Sequence, residues 1–191
     1  MEAGPERPLD DGEFDEIYRR HFPAVLKTIR IMVMNELIAE DLAQDTFVRA
    51  YRFRGRYDRS RPPGPWLHTI AVNLVRSHMR RARLISILSL SSFRSDPVAA
   101  TPDWGSDTAL LSALATLPPE ERAALVLHHV HGHEYSEVAA ILRIPIGTVG
   151  SRLNRARTRM REAIQRQEEG EGPARGPHPA ATPPASEGDR A

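Results

Sequence analysis

The stretch YSEVAAILRIPIGTVGSRLNRARTRMREAI, Tyr135 to Ile164, decides how this chain is read. Ser136 can cap a short helix from Glu137 to about Leu142, because a serine hydroxyl accepts from the free amides of a first helical turn. Arg143 to Gly147 then read as a turn, and Thr148 as the cap of a second helix reaching about Gln165. Two helices joined this closely describe a helix-turn-helix. In the second of them Val149, Leu153, Ala156, Met160 and Ile164 recur at helical spacing and are expected to pack inward. Ser151, Arg152, Arg155 and Arg159 are left on an outward face of the width and charge that suit a DNA major groove.

Working outward, LPPEERAALVLHHV (Leu117 to Val130) predicts a helix begun by Pro118 and Pro119, with Glu120 and Glu121 at its positive end, and another helix is expected near Thr108 to Thr116. A second helical block lies upstream. Phe14, Ile17, Tyr18, Val25, Leu26, Ile29, Met32 and Val33 predict a long amphipathic helix, interrupted or kinked at Pro23. EDLAQDTFVRAYRF predicts another, with Leu42, Val48 and Tyr51 facing a core and Asp41, Gln44, Asp45 and Arg49 forming a polar stripe. From periodicity alone that stripe reads equally well as a solvated face or a docking surface. YDRSRPPGP reads as a loop. A third helix from about Trp66 to Arg83 sets Leu67, Ile70, Ala71, Leu74 and Val75 on an apolar face and Asn73, Arg76, Ser77 and Arg80 on another. The expected fold class is therefore all-α, two small helical domains joined by a flexible linker, the second containing the helix-turn-helix. The expected boundaries are a disordered tail 1–12, a first domain 13–84, a linker 85–107, a second domain 108–166 and a disordered tail 167–191, the tails being rich in Pro, Gly and charge. Apolar residues in the linker, among them Leu90, Phe93 and Trp104, suggest contact with a partner.

Charge points to a polyanion. The net charge is only +1, but no acid lies between Asp58 and Asp96, where Arg59, Arg61, Arg76, Arg80, Arg81, Arg83 and Arg94 fall. From Glu137 to Glu162 the only charged residues between the two acids are Arg143, Arg152, Arg155, Arg157, Arg159 and Arg161. Two acid-free arginine surfaces suggest two contacts with nucleic acid. With no cysteine in 191 residues, disulfides, thiolate catalysis and cysteine zinc sites are excluded. No apolar run is long enough to insert in a membrane, and the acidic start lacks signal-peptide character, so a cytoplasmic location is expected. No phosphate loop, nucleophile elbow or convincing carboxylate pair supports an enzyme. HHVHGHE (His128 to Glu134) raises the question of a metal site, but His128 and His129 point in different directions and Gly132 is expected to break the helix between His129 and His133, so histidines with no special role are the stronger reading, with a pH-sensitive surface patch next and a metal site last. No metal or other cofactor is expected.

Four segments, AEDLAQDTFVRAYR (Ala39 to Arg52), PWLHTIAVNLVRSHMRR (Pro65 to Arg81), LATLPPEERAALVL (Leu114 to Leu127) and IPIGTVGSRLNRARTRMRE (Ile144 to Glu162), in this order, resemble the extracytoplasmic-function sigma factors of bacterial RNA polymerase. The resemblance implies a non-catalytic subunit that binds the polymerase core and directs promoter recognition, DNA melting and initiation. It implies docking of Asp41, Gln44, Asp45 and Arg49 on the beta-prime coiled coil, with further contact to the beta subunit. It implies that the minus-ten element is read by Tyr57, Ser60, Arg61, Pro62 and Asn73, with Arg76, Ser77 and Arg80 along the strand; Tyr57 offers a stacking face, although Tyr57 and above all Trp66 could be ordinary core aromatics. It assigns minus-thirty-five recognition to Thr148, Ser151, Arg152, Asn154, Arg155 and Arg159, and departs from the family at Gly150, where many relatives carry a basic residue. Expected partners are the polymerase core, promoter DNA and an anti-sigma factor that could hold the chain at a membrane. The competing reading, a regulator that binds duplex DNA alone, explains residues 108–166 but not the first block.

Overall fold

A computed structural model describes residues 9–88 and 108–169. The first block is built of α1 (Asp11–Val33), α2 (Glu36–Arg52) and α3 (Pro63–Leu88), with one 3-10 turn at Arg54–Arg56. The second holds α4 (Thr108–Ala115), α5 (Pro119–Leu125), α6 (Tyr135–Leu142) and α7 (Ile146–Glu168), α5 running on into a π-helical turn at Val126–Val130. Among the described residues every regular element is helical.

Local chemistry explains most of the ends, and several differ from expectation. Asp10 caps α1 in a reciprocal box, its carboxylate accepting from the Glu13 amide while Glu13 accepts from the Asp10 amide. Leu9 is buried beside it, so residues 9–12, expected as part of a tail, are structured. Helix α1 continues through Pro23. Met34 ends it in the left-handed region, and Asn35 caps α2 by accepting from the Ile38 amide. The prolines of the RPPGP run belong partly to α3: Pro63 opens the helix, where its missing donor costs nothing. At its far end α3 extends to Leu88, past the expected limit at Arg83. In the second block Glu134, not Ser136, caps α6, exchanging bonds with Glu137 in a second capping box. Arg143 closes α6 at φ 52°, and α7 starts at Ile146 after Pro145, two residues before Thr148.

The two blocks do not stand apart. One continuous core contains Val25, Ile29 and Met32 of α1, Phe47 of α2, Leu67, Val72 and Val75 of α3, and Leu127, Val138, Ile141, Val149 and Leu153 of the second block. Helix α1 packs on α5, and α3 packs on α6. A smaller cluster of Leu114, Leu117 and Ala156, with Leu111, Leu125 and Met160 at its margin, seats α4 on α7.

Candidate nucleic-acid interface

On α7, Val149, Leu153 and Ala156 are buried as their spacing requires, and Ala163 replaces Ile164 as the last fully covered position. Ser151, Asn154, Arg155 and Arg159 are exposed, while Thr148 and Arg152 are half-buried. The Ser151 hydroxyl donates to the Thr148 carbonyl at 3.0 Å, a local bond that leaves its oxygen lone pairs facing outward. Ile146 in the first turn is exposed.

The arginines of this face are not free. Glu121, buried in the first turn of α5, takes Arg159 Nη1 at 2.8 Å and lies 3.6 Å from Arg155 Nε. Its neighbour Glu120 takes Arg152 Nη1 at 2.8 Å and, from the other block, Arg76 in a fork, Nε at 3.0 Å and Nη2 at 2.6 Å. Arg76 Nη1 adds a bond of 2.8 Å to the Leu142 carbonyl at the end of α6. Burial pushes the Glu120 carboxyl up, but hydrogen bonds and charge from Arg76 and Arg152 outweigh it and hold the group below the ordinary carboxylate range. Sequence reasoning assigned these two acids to the positive end of a helix, and their partners lie 32 to 44 residues away.

On α3, Asn73 and Ser77 are half-buried and Arg80 is exposed, one face of the helix with Arg76. The loop ahead of α3 is organised by Asp58, a residue the sequence reading passed over. Its Oδ1 accepts from the Ser60 amide at 3.0 Å and from the Ser60 hydroxyl at 2.5 Å, and its Oδ2 pairs with Arg61 Nε at 3.1 Å. The two Ser60 bonds are the main reason its carboxyl is held below the ordinary range. Tyr57 lies against Trp66 with ring centroids 4.9 Å apart, and its hydroxyl donates to the Arg61 carbonyl. Both rings are half-buried, so the pair is neither a plain core contact nor an open platform. Tyr57, Trp66, Arg61 and Pro62 line one wall of a cleft of about 400 Å³ whose opposite wall is Glu137 and Ile141 of α6.

On α2, Asp41, Gln44, Asp45 and Arg49 are all exposed on one face. Val48, expected in the core, is 50% exposed and stands within that stripe, and Tyr51 is also exposed, donating from its hydroxyl to Asp11 Oδ1 at 2.8 Å. The buried positions are Ala39, Leu42, Ala43, Thr46, Phe47 and Ala50. The histidine tract is likewise not a surface patch throughout: Gly132 breaks it at φ 72°, and His133 is buried against the first block. No group of three His, Asp or Glu is arranged to hold a metal ion among the described residues.

Residues 17–85 match the Sigma-70 region 2 family and residues 107–160 match Sigma-70, region 4. Over 155 residues the chain is 36% identical to the RNA polymerase sigma factor CarQ of Myxococcus xanthus, covering 79% of this chain and 88% of that protein. The chain belongs to the extracytoplasmic-function sigma factors. A second relative, the sigma factor SigM of Mycobacterium tuberculosis, is 33% identical over 148 residues, covering 77% of this chain and 74% of its own. Among solved structures, the sigma factor RpoE of Bartonella quintana in complex with the anti-sigma factor NepR superposes with a TM-score of 0.69 at 28% identity, over 80% of this chain and 97% of that one. CnrH, in complex with the cytosolic domain of CnrY, gives 0.60 at 25% identity, over 82% and 90%. As a sigma factor the protein is an initiation subunit that binds RNA polymerase and directs promoter-specific transcription, and it is not an enzyme. Among the described residues no helix is long and apolar enough to cross a membrane.

Proposed function

We propose that the labour of initiation is divided along the chain as its two family matches divide it, with residues 13–84 docking on core polymerase and opening the minus-ten element, residues 108–166 reading the minus-thirty-five element, and 85–107 linking them. The observation that carries this division is the exposed face of α7, where Ser151, Asn154 and Arg155 stand on the recognition helix of a helix-turn-helix with their backs fixed by Val149, Leu153 and Ala156. Thr148, Arg152 and Arg159 complete that surface. Hydroxyl and amide groups there can read base edges, and the arginines can read guanine or hold phosphates.

For the minus-ten element, the Tyr57 ring, Arg61 and Pro62 line one cleft, Ser60 is tied to Asp58 of the same lining, and Asn73, Arg76, Ser77 and Arg80 follow along α3. Extruding a base costs a few kcal/mol, and an aromatic wall with polar groups beside it offsets that cost. The exposed stripe Asp41, Gln44, Asp45 and Arg49 supports docking on the beta-prime coiled coil of the polymerase, and Val48 gives its centre an apolar anchor. The beta subunit completes the contact with core. An anti-sigma factor is a fitting partner, since the sigma factor RpoE described above is held by one. The place of action is the cytoplasm, at the membrane when such a partner is anchored there.

In vitro transcription with purified core polymerase on a promoter pool tests the division. The expected result is start sites that depend on this protein. Asp41→Arg with Asp45→Arg should abolish them while duplex binding by the second block persists. Arg155→Ala should weaken starts mainly on templates that keep the upstream element. Starts that persist undiminished in the α2 variant would remove docking from that helix.

A further inference from the structure

Where the two blocks meet, the contact is made by imidazoles. His68 of α3 is 3% exposed, and its Nδ1 lies 2.8 Å from His133 Nε2. His131 stacks near His68 with ring centroids 4.7 Å apart, and its Nε2 lies 2.8 Å from the Thr28 hydroxyl of α1. The Thr28 hydrogen is committed to the Ala24 carbonyl at 3.1 Å, so His131 must be the donor in that contact. The bond between His68 and His133 likewise needs one N–H and one bare nitrogen, and two imidazolium rings cannot make it. His68 Nε2 is buried without a hydrogen bond.

The charged groups facing the cluster are mostly basic. His21 and Lys27 of α1 bear on it from the first block, with Arg20 beside His21. Glu137 Oε2 of α6, 3.4 Å from His133 Nδ1, is the one carboxylate paired with the cluster among the described residues, and His128 Nδ1 contacts the His133 carbonyl from the π-helical turn. A separate arginine contact depends on the same closure: Arg76 reaches Glu120 and the Leu142 carbonyl only while the blocks are together.

We propose that His68, His131 and His133 form a proton-sensitive latch that holds the two blocks of this sigma factor closed near neutral pH and releases them on acidification. Burial first, and then the positive charge of His131, His133 and His21, lowers His68 to about 3, against only a small opposing effect from the Ala24 backbone. Burial, then His133 and Lys27, lowers His131 to about 4. Opening moves His131 into water and strips His68 of its cover, returning these two groups toward the ordinary imidazole value of 6.5. The open form then binds protons more tightly, so closure is at full strength above about pH 6.5 and weakens as pH falls from there toward about 4. Each histidine that is fully released weakens closure by up to roughly tenfold per pH unit in that window. Residues 89–107 span at most about 65 Å when extended, ample for the blocks to separate.

The latch stands whether or not Arg76 and Arg152 are DNA contacts, and the test separates the two. The chain has no cysteine, so dyes placed by Leu37→Cys and Thr158→Cys, both exposed and on opposite blocks, report the distance between blocks by energy transfer in the full-length protein. Transfer should be high at pH 8 and drop by more than half between pH 6.5 and 5, with helical circular dichroism unchanged. His131→Gln, which keeps a donor for Thr28 without a titrating ring, should stay closed to lower pH, moving the midpoint down by about half a unit or more. Constant transfer down to pH 5, low transfer already at pH 8, or the same midpoint in His131→Gln would each overturn the latch. Duplex binding measured across the same titration reads the arginines separately: opening without a gain in binding would leave the latch standing and remove Arg76 and Arg152 from the DNA surface.

Discussion

At the scale of single residues, Gly150 is the clearest case of a position whose identity its surroundings do not demand. It lies inside α7, its φ is not positive, and a Cβ there would meet only the Tyr135 ring edge at 3.7 Å, an ordinary van der Waals contact. Glycine within a helix loses more backbone entropy than alanine on folding. Gly150→Ala is therefore expected to stabilise the protein by up to about 1 kcal/mol, read as a rise in the urea midpoint with an unchanged slope. Gly132 is the opposite case. Nothing crowds it, but φ of 72° makes any side chain strained, so Gly132→Ala should destabilise the protein by about 1 kcal/mol, read as a fall in the urea midpoint. Both positions drew notice in the sequence, Gly150 as a missing basic residue and Gly132 as a helix breaker, but only the backbone angles assign opposite signs to the same substitution.

At the scale of elements, the helices were legible because a buried face repeats every three or four residues: Leu67, Ala71, Leu74 and Val75 on α3 and Val149, Leu153 and Ala156 on α7 fall where the period puts them. Helix α2 was misread at Val48 and Tyr51 because size was taken as the mark of burial. Packed between α1 and α3, it instead buries Ala39, Ala43 and Ala50, small residues that let neighbouring backbones approach, and turns Val48 outward. Cap positions slipped for a related reason. Serine at 136 and threonine at 148 are good caps in isolation, but Glu134 with Glu137, and Pro145, start the helices earlier. The α1 cap can be tested directly. Asp10→Ala removes an acceptor and breaks the box with Glu13, and should cost about 1 kcal/mol, measured as the shift of the urea midpoint. The polar stripe of α2 was placed correctly by period alone; which partner it meets is not written in a period.

At the scale of the whole molecule, the contacts that could not be read locally are those joining distant segments. His68 meets His133 across 65 residues, Thr28 meets His131 across 103, and Arg76 meets Glu120 across 44. Each of these residues has an unremarkable local role, and only the docking of two blocks gives it another. Glu120 concentrates the consequence, because one half-buried carboxylate binds an arginine from each of the two surfaces proposed to meet DNA. Glu120→Gln removes its charge while keeping its shape. The blocks should then part more readily at neutral pH, and Arg76 and Arg152 should become available to phosphates. The expected result is tighter binding to promoter duplex at low salt, by several-fold, with the salt dependence steepened by up to about two further released counterions. Binding weakened by this substitution, with the salt dependence unchanged, would mean that Glu120 serves to orient Arg152 for DNA, since an aimed guanidinium loses its geometry when its carboxylate is removed, whereas a blocked one gains its freedom.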